Sequence, residues 1–280
     1  MPNPPTTAAL NLMLRPLPVS FLVALLCGIS TAAPPPREDV PTAAAVPVNQ
    51  LPVAGNACGP AALLNAFRFG NKDWQRASNS ITGKNDRERV LTIIREIGMR
   101  PSASVPGRPR WSRRGVNVSD LRDMANEMSA GHYLPQVGDE ICFIKPRETP
   151  EKLLRRLHGR LNTSLAKGLP PILSIRRHAL RARPGQDAQW ISIDAHFVTL
   201  TAVPRRLEKN ARSFPVHYID PWGGRFCMGE IRIPVEAVLP DANGRPSCLE
   251  AFFPQASVGA KLVRRGERTI VVPAAAIGRW

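Results

Sequence analysis

The chain has 280 residues, 43% hydrophobic and 21% charged, the composition of a globular protein and not of a disordered or fibrous one. That length suits one folded domain with a sizeable core. The formal net charge of +16 favours acidic surfaces such as nucleic acid, anionic lipid or anionic envelope polymers. The basic residues are scattered in pairs, among them Arg113 and Arg114, Arg176 and Arg177, and Arg264 and Arg265, without interleaved aromatics. No nucleic-acid-binding signature accompanies them, so specific nucleic-acid recognition is not expected.

Residues 1–33 read as a signal peptide. Arg15 supplies a positive start, residues 20–29 (SFLVALLCGI) form an apolar run too short to span a bilayer comfortably, and residues 30–33 (STAA) offer small side chains for cleavage near Ala32 or Ala33. The mature protein is therefore expected to be secreted, or in the periplasm or cell envelope. Lipidation of Cys27 is the alternative, and the bulky Leu26 before it disfavours that. No later segment is long and apolar enough to cross a membrane. Residues 34–47 (PPPREDVPTAAAVP) read as an extended Pro/Ala-rich linker, 48–253 as the folded domain, and 254–280 as a C-terminal hairpin or extension.

Ala62, Leu63, Ala66 and Phe67 recur at helical spacing and Gly70 supplies a stop, so residues 59–69 form a helix with Cys58 at its N-terminus. Residues 86–97 form a second helix, with Val90, Leu91, Ile94 and Ile97 on one face and Gly98 at its end. Ser119 caps a third, whose inward residues are Leu121, Met124, Ala125 and Met128. Thr149, Pro150 and Glu151 begin a fourth that runs to Lys167, before Gly168. Residues 71–85 and 99–117 lack periodicity and read as surface loops bordering a cleft.

The period then shortens. Residues 171–175, 190–203, 216–219, 225–233 and 249–253 read as strands, and 261–272 as a hairpin turning near Gly266 and Glu267. Helices first and strands later indicate an α+β domain with a largely antiparallel sheet.

Signal removal leaves Cys58, Cys142, Cys227 and Cys248, and an even count in an oxidising compartment usually means disulfides. On that count alone, Cys58 is more simply half of a bridge. Its place at a helix N-terminus suits a thiolate, however, because unpaired backbone donors and the helix dipole stabilise negative charge there. If Cys58 stays free, the expected bridge joins Cys227 to Cys248.

A cysteine nucleophile needs a histidine on a rigid element. His196 opens the run AHFVTLTAV, in which His196, Val198, Leu200 and Ala202 share one strand face, so the imidazole stands at the end of an apolar row. His217, near Asp220 in sequence, is the runner-up, while His132, His158 and His178 have weaker contexts. Asp220 ends VHYIDPWGG: it is either the first residue of a turn or the carboxylate that orients the imidazole. The paired ligand spacings of metal sites are missing, and no metal or cofactor is expected.

These segments carry a resemblance. NACGPAALLNAF, then GLPPILSIR, AHFVTLTAV and VHYIDPWGGRF, spread over roughly residues 48–235, resemble the papain-like domain that removes leader peptides in bacteriocin exporters, cysteine peptidase family 39, and more closely its stand-alone secreted relatives. The resemblance implies a papain-like fold, with helices packed on a C-terminal antiparallel sheet, Cys58 as nucleophile, His196 as base and Asp220 as orienting acid. One position departs from the family. The family's oxyanion glutamine, about six residues before the cysteine, is replaced here by Pro52, with Gln50 farther upstream and Asn56 nearer Cys58. Gln50 is the preferred substitute.

The expected function is thiol-dependent hydrolysis of a peptide or protein substrate. Two other readings use the same residues: a non-catalytic papain-like module that binds peptides or acidic envelope polymers, and a disulfide-linked envelope protein with Cys58 oxidised.

Overall fold

The computed structural model describes residues 36–280 except 54, 55, 183, 184, 186, 237, 241–243 and 245. The expected signal peptide and Cys27 lie outside the described residues. Strand β1 (Arg37–Asp39) precedes helices α1 (Cys58–Arg68), α2 (Lys72–Asn79) and α3 (Asp86–Ile93), the last running into a π-helical turn at Ile94–Gly98. A two-strand ribbon, β2 (Trp111–Ser112) and β3 (Gly115–Val116), leads to α4 (Val118–Ala130), β4 (Gly138–Ile141) and α5 (Pro150–Ala166). Strands β5 (Ile172–Arg181), β6 (Gln189–Pro204), β7 (Ser213–Asp220), β8 (Arg225–Arg232), β9 (Glu250–Phe252) and β10 (Thr269–Gly278) complete the chain.

The main sheet has eight strands in the order β4-β10-β5-β6-β7-β8-β9, with β1 added on β6, and its pairings are antiparallel. The protein is thus a mixed α+β fold built on a large antiparallel sheet. Neighbouring strand residues belong to different cores. Ile172 and Phe197 pack with α1, α2 and α4, whereas Leu173 and Val198 pack with Leu153, Leu157 and Leu161 of α5. This is the two-residue alternation of a strand with both faces covered.

Helix α1 lies at the centre of the first core: every residue from Cys58 to Phe67 is buried. Leu63, Leu64 and Phe67 are fully enclosed, each contributing about 1.5–3 kcal/mol by burial. Gly59 allows this close packing, because a Cβ there would lie 2.3 Å from Val116 Cγ1. The Thr199 hydroxyl on β6 donates to the Ala62 carbonyl at 2.9 Å, tying sheet to helix.

Several expectations need correction. Residues 71–85 contain helix α2, capped by Asn71, whose Oδ1 accepts from the Asp73 and Trp74 amides. Its polar sequence buries only Trp74, Ala77 and Ser78, too narrow a stripe to show as periodicity. The cap of α4 is Asn117, which accepts from the Asp120 amide at 2.7 Å, and Ser119 lies inside the first turn. Part of the supposed linker is strand β1, and Val40 after it is buried.

The expected C-terminal hairpin is instead a short 3-10 turn at Ala260–Leu262 followed by β10, which inserts between β4 and β5. Residues 254–280 therefore belong to the domain. Nor is there a Cys227–Cys248 bridge, since all four cysteines are free. Cys248 forms a β-bridge with Phe143 and packs with Val238, Ile270 and Val272, whereas Cys227 belongs to the separate core that contains Tyr218 and Phe253.

Candidate active site

Cys58 is the first residue of α1, and Ala57 before it makes no side-chain cap to the helix. No acidic residue stands in the first turn to compete for the positive end of the helix dipole. Cys58 is 9% exposed and lines a cleft of about 490 Å³ that His196 also lines.

His196 is the point where β6 enters the protein interior. The strand is exposed or half-buried from Gln189 to Ala195 and buried from His196 onward. The imidazole Nε2 bonds Asp220 Oδ1 at 2.8 Å, which leaves Nδ1 as the ring nitrogen for the sulfur. Burial alone pushes the imidazole pKa down, but the hydrogen bond to Asp220, and after it the hydrogen bond and charge of Cys58, raise it to about 10. The arrangement therefore favours the protonated imidazolium at His196.

Asp220 ends β7 and is completely buried. Besides His196, its Oδ1 accepts from the Trp222 amide at 2.8 Å; its Oδ2 accepts from the amide and hydroxyl of Ser257, both at 3.0 Å, and from Arg225 Nη2 at 3.3 Å. Burial raises the carboxyl pKa, yet His196 and the backbone donors outweigh it and hold the pKa below the usual value. The carboxylate is thus ionised and fixed in place.

The structure brings Cys58, His196 and Asp220 together and leaves the other histidines elsewhere. His217 Nε2 pairs with Arg37 Nη1 at 2.9 Å, His158 Nε2 bonds the Pro204 carbonyl at 2.7 Å, and His132 Nε2 bonds the Ser80 hydroxyl at 2.8 Å. Burial lowers the pKa of His158, His178 and His217, opposite to His196. Burial also raises the thiol pKa of Cys142, Cys227 and Cys248, which keeps those sulfurs protonated.

Gln50 lies eight residues before Cys58. It is fully buried and outside the cleft lining; it is its backbone amide that donates to the Pro221 carbonyl, at 2.8 Å, so its segment braces the turn after Asp220. Asn56 does line the cleft, two residues before Cys58, with an exposed side chain. The ribbon at Arg114, Gly115 and Val116 forms one wall, in keeping with the expected cleft-bordering loop at 99–117.

The opposite wall, 257–262, went unnoticed in the sequence. Ser257 anchors it on Asp220, and Asp194 Oδ2 accepts from the Gly259 amide at 2.6 Å. Gly259 has φ of +60°, and its missing Cβ would stand 3.0 Å from Asp194 Cβ, so glycine suits both the backbone and the space. A serine in a polar loop carries no periodic signal that could have revealed this role.

Among the described residues no helix is long and apolar enough to cross a membrane, and no group of three or more His, Cys, Asp or Glu is placed to hold a metal ion. A scan against protein-family models and searches of the curated proteins and of the solved structures found no match to this chain.

Proposed function

We propose that the protein is a papain-like cysteine hydrolase, a peptidase similar to cysteine peptidase family 39, acting outside the cytoplasm. The observation that carries this reading is the buried Cys58–His196–Asp220 array opening on a cleft, with the cysteine at the head of a central helix packed on an antiparallel sheet. In the reaction, Cys58 thiolate attacks the carbonyl carbon, a C–S bond forms, and the carbonyl electrons move to oxygen. Collapse expels the amine, which takes the proton held by His196. His196 then removes a proton from water, the hydroxide attacks the thioester, and the acid product leaves as Cys58 regains its starting state. Asp220 holds the ring and supports its charge throughout.

The tetrahedral oxyanion needs donors, and the side-chain amide of Asn56, which lines the cleft, and the backbone amide of Cys58 are the candidates. The export part of the reading rests on the sequence of residues 1–33. Gln50 is fully buried and does not line the cleft, which favours a second reading, a papain-like module that binds peptides without cleaving them. Digestion of a proteome-derived peptide library by the wild type and by Cys58→Ala separates the two. Cuts that depend on Cys58 support the hydrolase; their absence, in a protein whose Cys58 reacts readily with iodoacetamide, favours the binding module.

A further inference from the structure

The two cleft walls carry unbalanced positive charge. Arg114 projects from the ribbon wall and Lys261 from the opposite loop, both exposed, and neither has an ion-pair partner among the described residues. The cleft lining contains one carboxylate, Asp194, and both its oxygens are engaged by backbone amides: Oδ1 by Ala195 at 2.9 Å and Oδ2 by Gly259 at 2.6 Å. Its role is to fasten the loop to β6. The apolar part of the cleft between these charges includes Val116, Phe197 and Val258, which offer dispersion contacts without sign preference. A segment lying in the cleft therefore meets both cations.

We propose that the cleft selects polypeptide segments bearing Asp or Glu near the reacting carbonyl, with Arg114 and Lys261 as the specificity-determining residues. The substrate class rests on the hydrolase reading; the charge selection itself does not. Exposed cations act on a bound anion through a partly screened field, so each is worth about a two- to fivefold preference, and the effect weakens as salt rises.

The test uses two alkylating reagents of nearly the same size, anionic iodoacetate and neutral iodoacetamide, on the full chain. Cys58 modification is followed by peptide mass mapping. The His196 imidazolium also favours iodoacetate, so the informative quantity is the change in the rate ratio between wild type and the Arg114→Gln, Lys261→Gln double variant. The ratio should fall about fourfold or more in the variant, and added salt should lower it in the wild type more than in the variant. Any change in the intrinsic reactivity of Cys58 is common to both reagents and cancels in the ratio, and circular dichroism shows that the variant is folded. A ratio equal in both proteins overturns the proposal.

The peptide library then tests the substrate class. Cys58-dependent cuts flanked by Asp or Glu support it, and cuts flanked by Lys or Arg overturn it while sustaining the hydrolase. A ratio that falls with no cut at any peptide leaves the charge selection standing and removes the hydrolase reading.

Discussion

The strand-borne and helix-borne halves of the candidate site are built differently. On the strand side, Asp220 is fully buried and accepts hydrogen bonds from His196, Trp222, Ser257 and Arg225, so imidazole and carboxylate are over-determined. On the helix side, Cys58 follows an uncapped Ala57, and the one nearby side-chain amide in the cleft, on Asn56, is exposed. The difference teaches where rigidity is placed. Proton handling depends on ring orientation, which a dry hydrogen-bonded network fixes, whereas a cleft that admits a segment of polypeptide has to stay open beside the sulfur.

Breaking the rigid half should have the largest effect. His196→Ala removes the base and the cation beside Cys58, and should lower kcat/KM on any cleaved peptide by about a thousandfold or more. It should also slow iodoacetamide modification of Cys58 at neutral pH. In the open half, Asn56→Ala should lower kcat by about a hundredfold if its amide serves the oxyanion, with little change in the urea midpoint. Gln50→Ala should do the reverse, lowering stability through the cavity left at a buried site while sparing kcat relative to Asn56→Ala. Equal kcat losses would remove the contrast between the two residues.

Asp220→Asn sharpens the comparison through pH. A carboxyl held below its unfolded pKa contributes stability that is present above the unfolded value and lost as pH falls through the folded one. A histidine raised to about 10 contributes stability that is present below its unfolded value and lost as pH rises through about 10. Urea midpoints of the wild type should therefore fall in acid and again in alkali. Asp220→Asn should flatten both limbs and cost about 3 kcal/mol between them, since it leaves the buried donors facing an amide. The smallest effect is expected at His217, which faces Arg37: His217→Ala should leave the alkylation rate of Cys58 within about twofold of wild type.

Much of this site was legible because each member stands where a sequence pattern changes. Cys58 precedes a run at helical spacing that ends in glycine, His196 begins an apolar row, and Asp220 heads a Pro-Trp-Gly-Gly turn. What escaped depends on partners remote in sequence. Strand β10 pairs with Gly138–Ile141 and with Ile172–Arg181, and its Pro273 argues locally against a central strand. The proline is accommodated where the register with β5 shifts, between Pro273 and Ala275. Ser257 escaped for the same reason, since its position is set by the Asp220 turn and not by its own neighbours.

The most direct test of the Cys58–His196–Asp220 array is titration of the five imidazoles by nuclear magnetic resonance with nitrogen-15-labelled histidine. One ring, lost in His196→Ala, should keep both protons at about pH 8, where an ordinary imidazole is neutral, and release one near pH 10. Its titration should move to lower pH in Cys58→Ala and in Asp220→Asn. The account is contradicted if all five rings are neutral by about pH 8, or if the late-titrating ring survives in His196→Ala.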